Sequence, residues 1–268
     1  MKTFIVDSFT KEAFKGNPAG VCFTQTALSE EKMQHTAMEL GLSETAFVQP
    51  AGKPGVYNIR YFSPKKEIPL CGHATLASAK VIFRDANENE IHFITVQNLD
   101  LHVQRNGQEI SMEFPVYKTS AIAVPPAMLT ALGLNRIVRA VYSEEHKIIM
   151  LEIDDADTLK NLSPNFSDLV TSRDGINGVL VTAPADTPDY DYHYRYFWPW
   201  AGTNEDPVTG GVQTFLAKYW SDKLHKKSMQ AFQSSARTGY MRVDLTNEKV
   251  VLTSQAVIIL EGSLEAFK

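Results

Sequence analysis

The sequence predicts an α+β protein built from two similar halves. Three observations carry this reading. Short strand-like runs outnumber helix-like ones along the whole chain. A strand that passes through glycine into a helix occurs twice, at "LCGHATLASA" and at "NEDPVTGGVQTFLAKYW". A hairpin signal follows each junction, and nearly equal distances separate Cys71 from Asn106 and Thr209 from Asn247.

The elements follow in order. Phe4 to Phe9 and Ala19 to Phe23 read as strands joined by a turn at Gly16-Asn17-Pro18. A helix begins after Ser29, an N-cap with Glu30 and Glu31 in the first turn. It carries Met33, Ala37 and Leu40 as its apolar stripe and ends at Gly41. Glu44 to Val48 and Val56 to Phe62 are strands, and a helix runs from about Ala74 to Arg84. The runs "LDLHVQ" and "EISMEF" flank Asn106-Gly107, the dipeptide favoured in two-residue type I′ turns. Val116 to Met128 reads as the linker, which divides the chain into halves 1–117 and 118–255. Aligning Gly72 with Gly210 brings Ala79-Lys80 onto Ala217-Lys218, and "YMRVDL" and "KVVLTS" form the second hairpin near Asn247. A last strand, within 256–268, has no counterpart and is expected to pair back onto the first half.

Composition limits the function classes. The 268 residues suffice for two domains with cores of their own. Apolar content of 44% and charged content of 21% are those of an ordinary globular protein. A net charge of −5, with Lys and Arg scattered, offers no field for nucleic acid. No apolar run approaches the roughly 20 residues of a membrane span, and no signal-peptide pattern precedes the first strand. Cys22 and Cys71 are too few for a disulfide framework, which points to a reducing cytoplasm.

Two similar halves, each with a glycine at a helix start, suggest a cleft between them. Helix N-termini facing it would bind a small anion such as a carboxylate. Asp206, before Pro207, is either a turn or cap residue or a carboxylate aimed at this cleft. Glu44 shares a strand face with Ala46 and Val48. If that face is buried, its pKa rises toward neutrality, as acid–base work requires; if solvated, Glu44 is an ordinary surface charge. His73 either orients a substrate, relays a proton or caps the helix. Cys71 is placed where a helix N-terminus favours a thiolate, yet the glycine alignment puts Thr209 opposite it. Cys71 and His73 supply two metal ligands, and no CxxC or HxxxH completes a set, so no metal is expected. Phosphate loops, dinucleotide fingerprints and the GxSxG elbow are absent from the sequence.

The blocks "VDSFTKEAFKGNPAGVC", "LSETAFV", "LCGHATLASA", "RYFWPWAGTNEDPVTGG" and "QSSARTG", in this order from residue 6 to about 239, resemble the phenazine-biosynthesis (PhzF-like) isomerase family. The resemblance implies a diaminopimelate-epimerase-like fold: two domains, each a mostly antiparallel sheet rolled around a central helix, with the active site in the cleft between them. It also implies a cofactor-independent isomerase, often a homodimer, that moves a proton within a small carboxylate-bearing substrate. Glu44 matches the family's proton-moving glutamate, and His73 and Asp206 its substrate-polarising residues. Gly72 and Gly210 would present backbone N–H groups to the substrate carboxylate, with Cys71 and Gly211 beside them. Epimerases of this fold use paired thiols, and with Thr209 and Asp206 near the second position that pair is broken here. Gly211 stands where the family usually has a serine that contacts substrate. That bond is worth about 1.5–3 kcal/mol, unless the substrate lacks the group or another residue supplies it. Two rival functions follow from the same residues: a racemase or epimerase using Cys71 with Asp206, and a catalytically silent metabolite-binding module.

Overall fold

The structure, a computed structural model, describes residues 1–246 and 248–265. The chain divides into two compact units, Met1–Glu113 with Val251–Lys268, and Phe114–Val250.

The first unit contains β1 (Lys2–Ser8), β2 (Asn17–Phe23), α1 (Glu30–Leu40), β3 (Glu44–Pro50), β4 (Val56–Phe62), β5 (Glu67–Ile68), α2 (Gly72–Asp85), β6 (Glu90–Thr95) and β7 (Asp100–Asn106), and β8 (Glu109–Pro115) leaves it at Phe114. The second contains β9 (Ser120–Ala121), α3 (Pro126–Leu132), β10 (Arg139–Ser143), β11 (Ile148–Glu152), α4 (Ala156–Asn161), α5 (Phe166–Thr171), β12 (Gly178–Pro184), β13 (Tyr192–Phe197), α6 (Gln213–Leu224), β14 (Ser228–Gln233) and β15 (Gly239–Leu245). β16 (Lys249–Ser254) spans the boundary, and β17 (Ala256–Ser263) lies in the first unit, antiparallel to β1.

Both units follow one topology. In the first, β1 and β2 are antiparallel, and α1 crosses over to the parallel pair β2–β3. β3 and β4 are antiparallel, α2 crosses over to the parallel pair β4–β6, and β6–β7 is antiparallel. The second repeats this with β10–β11, a parallel β11–β12 across α4 and α5, then β12–β13, a parallel β13–β14 across α6, and β14–β15. Each unit is thus α+β, with antiparallel pairs dominant and parallel pairs only where a helix makes the crossover.

Local chemistry explains the elements that carry the site. Ser29 caps α1 by accepting from Lys32 N at 3.3 Å, and Gly41 ends it with φ +63°. The first two turns of α2 are buried on every side, His73 through Ala79 all being buried, and only its last residues Arg84 and Asp85 are exposed. A helix without a solvent face can only sit inside its sheet. Its small residues Gly72, Ala74, Ala77, Ser78 and Ala79 let the strands approach, and the hydroxyls of Thr75 and Ser78 bond back to Cys71 O and Ala74 O, each at 2.7 Å. Gly16 has φ +68°, and a Cβ there would lie 2.0 Å from Ser8 O, so only glycine makes the turn that delivers Asn17 to the start of β2.

Two local expectations are corrected. The loop between β7 and β8 is Gly107-Gln108, because Asn106 pairs with Glu109. Gly107 alone takes positive φ (+61°), the pattern of a type II′ turn rather than type I′. The Val116–Met128 stretch, read as the linker, holds β9 and the start of α3; Pro126 sits at the first position of α3, where its missing N–H costs nothing. Gly210 and Gly211 precede α6 rather than begin it. Gln213 N and Thr214 N bond back to Gly210 O and Gly211 O at 3.0 and 3.3 Å in a tight turn before the helix. The predicted turn at Asn247 lies outside the described residues.

Candidate active site

The first unit brings Glu44, Cys71 and His73 together. β3 opens with Glu44, in parallel register with Ala19 of β2. β3 is buried on both faces over Glu44–Val48, so the carboxylate enters an apolar interior with 5% of its surface exposed. α2 begins immediately after Cys71 and carries His73 in its first turn. Glu44 Oε2 lies 3.1 Å from His73 Nε2. Ser43 Oγ is 3.5 Å from the same nitrogen, Asn17 Nδ2 is 3.3 Å from Nδ1, and Cys71 Sγ is 3.4 Å from Nδ1. Ser8 Oγ donates to the His73 carbonyl at 2.7 Å and fixes the ring's backbone.

Burial sets the electrostatics, but partners reverse its effect. Burial pushes the Glu44 pKa up, yet the hydrogen bond and charge of His73 and the hydroxyl of Ser43 outweigh it and hold Glu44 below the usual carboxylate range. This corrects the expectation that a buried Glu44 would titrate near neutrality. Burial likewise works against a charged His73, while Cys71 and Glu44 raise its pKa well above the ordinary histidine value. Cys71 is itself pushed up by burial and stays a thiol, so Glu44 is the charge that keeps His73 protonated. The resting site is therefore a buried carboxylate–imidazolium pair. The three side chains also place donor atoms within 4.8 Å of one another. With the thiol protonated and the imidazole cationic, neither is in its metal-binding form.

The pair makes stability depend on pH in a definite window. Glu44, with a lowered folded pKa, stabilises above its unfolded pKa of about 4.3 and loses this as pH falls through the folded value. His73, with a raised folded pKa, stabilises below its unfolded pKa of about 6.5 and loses this as pH rises through the folded value. The stability gap between wild type and Glu44→Gln is expected to be widest between those limits and to shrink on either side. Denaturant midpoints across pH test this, and a gap that is flat with pH would remove the ion pair from the account.

In the second unit, Asp206 is 7% exposed, in the loop that follows β13. Its carboxylate accepts from Thr209 Oγ1, its N–H bonds Tyr196 O at 3.1 Å, and its carbonyl accepts from Gln233 Nε2 at 2.6 Å. Gln233 Oε1 in turn takes Thr209 N at 2.7 Å. Gln233 thus ties the loop to β14 and holds the "DPVT" turn in one shape. A Cβ built on Gly211 meets nothing within 4 Å.

Sequence reasoning assigned no role to Asn17, Ser43 or Ser8. Asn17 read only as part of a turn. Its carboxamide presents NH₂ to a neutral Nδ1 and, rotated by half a turn, its oxygen to a protonated one, so it serves both states of His73. The only signal was adjacency: Ser43 precedes Glu44, and Asn17 follows Gly16 in the turn Gly16-Asn17-Pro18.

Comparison with known proteins follows the same lines. The family described as "Phenazine biosynthesis-like protein" matches residues 6–262. The chain is 38% identical to an uncharacterised isomerase of Halalkalibacterium halodurans, over 97% of each chain. It is 34% identical to the crystal structure of a PhzF-family phenazine biosynthesis protein of Enterococcus faecalis, with a TM-score of 0.90 over 97% of each chain. A probable proline racemase of Agrobacterium radiobacter shares the fold alone, at 9% identity and a TM-score of 0.63, covering 98% of this chain and 92% of that one. Among the described residues no helix is long and apolar enough to cross a membrane.

Proposed function

The chain belongs to the phenazine biosynthesis-like family and is an isomerase, and from this we propose that it moves a proton within a small carboxylate-bearing metabolite without a cofactor. The observation that carries the proposal is Glu44, ionised, buried and 3.1 Å from His73. An ionised carboxylate accepts a proton from a substrate carbon. The C–H electron pair is left delocalised into the substrate, and the Glu44 carboxylic acid then delivers the proton to a second carbon. Glu44 ends as it began, so the cycle balances with no oxidant or reductant. A depressed pKa makes Glu44 a weaker base and its protonated form a stronger acid, so abstraction is the demanding step and return of the proton the easy one.

In this proposal His73 holds and charges Glu44. The first turn of α2, with Gly72 at its start, offers unpaired N–H groups to the substrate carboxylate. Asp206, Gly210 and Gly211 are assigned to substrate positioning on the motif they match. Cys71, held as a thiol, takes no part in the proton transfer.

The test is incubation in deuterated water with a panel of small amino- and hydroxy-carboxylates, reading both product and C–H exchange by NMR. Activity that needs Glu44 supports the proposal, and a broad panel giving neither product nor exchange refutes it. A companion expectation concerns Gly211. The open space around it admits a hydroxymethyl group, so Gly211→Ser is expected to keep the wild-type melting temperature and to change KM more than kcat. A fall in melting temperature would show that the space is not available.

A further inference from the structure

The outer face of the β6–β7 pair carries a second cluster of titratable groups. Strand alternation buries Ile91, Phe93, Leu101 and Val103 and turns Glu90, His92, Asp100 and His102 outward. His92 stands directly opposite His102, and Asp100 is opposite Ile94, one outward step beyond His92. The two imidazole rings meet with centroids 4.1 Å apart.

We propose that this is a binding site for a divalent transition-metal ion such as zinc, with Glu90, His92 and His102 as ligands. Glu90 Oε1 lies 3.6 Å from His92 Nε2 and 3.6 Å from His102 Nδ1. All three donor atoms are within 4.8 Å of one another. Ligands about 2.0–2.2 Å from a tetrahedral ion are separated by roughly 3.3–3.6 Å, so the two carboxylate–imidazole separations match edges of such a shell. A small tilt of the rings brings in the third edge.

The second carboxylate sits where an outer partner belongs. Asp100 Oδ1 is 3.4 Å from His92 Nδ1, and Asp100 Oδ2 is 3.4 Å from His102 Nε2. These are the ring nitrogens that do not face Glu90. A metal-bound imidazole usually donates its remaining N–H to a carboxylate, which fixes the tautomer and strengthens the ligand. Here one carboxylate is in reach of both rings. Glu90 and Asp100 together balance the charge of a divalent ion. The side chains are one-third to one-half exposed, which leaves the fourth position to water.

Zinc titration of untagged protein against a competing chromogenic chelator tests the site. One saturable zinc per chain is expected. His92→Gln and His102→Gln should each weaken it about 10-fold or more, and Asp100→Asn, though no ligand, should weaken it by about 10-fold. All three positions are partly exposed, so the variants should fold. Zinc should raise the melting temperature of the wild type and leave that of the double His variant unmoved. Absence of saturable binding up to millimolar zinc would overturn the proposal and leave a solvated quartet of charges. So would binding retained by the double variant, or binding lost on Cys71→Ser, which would put the ion on the buried Glu44–Cys71–His73 group.

Discussion

Glu44→Gln is expected to lower kcat by about 10³-fold, within the range typical of a positioned acid–base group, and to leave a folded protein. Glutamine has the shape of glutamate, and its side-chain oxygen still accepts from His73 Nε2 at the observed 3.1 Å separation. What it lacks is the ability to take up a proton. Loss of turnover should therefore come with loss of carbon-bound deuterium incorporation, while KM stays close to wild type. The variant's imidazole also loses the charge that keeps it protonated, so His73 in Glu44→Gln should titrate below its wild-type value, which ¹⁵N NMR of the ring reads directly. Turnover within a few-fold of wild type would end Glu44's part in the chemistry, whatever the ring does.

Arg195→Ala is expected to destabilise the second unit by about 3–5 kcal/mol, the usual loss when one member of a buried ion pair is removed. Arg195 is 8% exposed on β13. It binds Glu205 in a two-point fork, Nε to Oε1 at 2.7 Å and Nη2 to Oε2 at 2.8 Å. Its remaining nitrogen, Nη1, donates to the carbonyls of Leu159, Lys160 and Leu162 at 3.2, 3.2 and 2.7 Å. These are carbonyls at the end of α4, where Leu159 O also takes the Leu162 N–H at 3.3 Å and the later ones lie beyond the reach of the helix's own N–H groups. One guanidinium thus serves an ion pair and a helix C-terminus together, and lysine, lacking the fork, should rescue little. Urea midpoints measure the loss. A double variant, Arg195→Met with Glu205→Leu, should be less destabilised than the sum of its single changes. A cost below about 1 kcal/mol for Arg195→Ala would mean that the carbonyls find other partners.

The two kinds of residue differ in how legible they were. α1 with its Ser29 and Gly41 caps was readable because it rests on neighbours within a few positions. The Asn106-Gly107 hairpin was readable in existence but not in register. The choice between adjacent turn types is decided by which residue pairs across the ladder, here Asn106 with Glu109. Arg195 was not readable at all: in "YHYRYF" an arginine between tyrosines suggests an outward position. Its partners lie 33 to 36 residues earlier and 10 residues later, at no spacing that a local rule recognises.

The chemistry shows the same division. Motif order pointed to Glu44 and His73, and β3 proves to be buried where Glu44 sits. The protonation states were not legible, because burial alone predicts the wrong sign for both groups. Their charges depend on a contact between a strand end and a helix start 29 residues apart, which no reading of either segment supplies. The Glu90–His92–Asp100–His102 cluster went unnoticed for a related reason. Its members are spread along two strands and converge only once the β6–β7 register is known.

The pairing of β17 with β1 bears on the order in which the chain can be built. β1 is made before β17, with β2 as its neighbour on one side. Its other side, from Lys2 to Ser8, has no hydrogen-bonding partner until residues 256–263 have been made. The intervening 114–250 is contiguous and can close around α6 while the earlier segment still waits. While the stretch between them is made, then, the polypeptide carries an open strand edge along β1, the condition under which nascent chains most readily associate with one another. β17 is what ends that exposure.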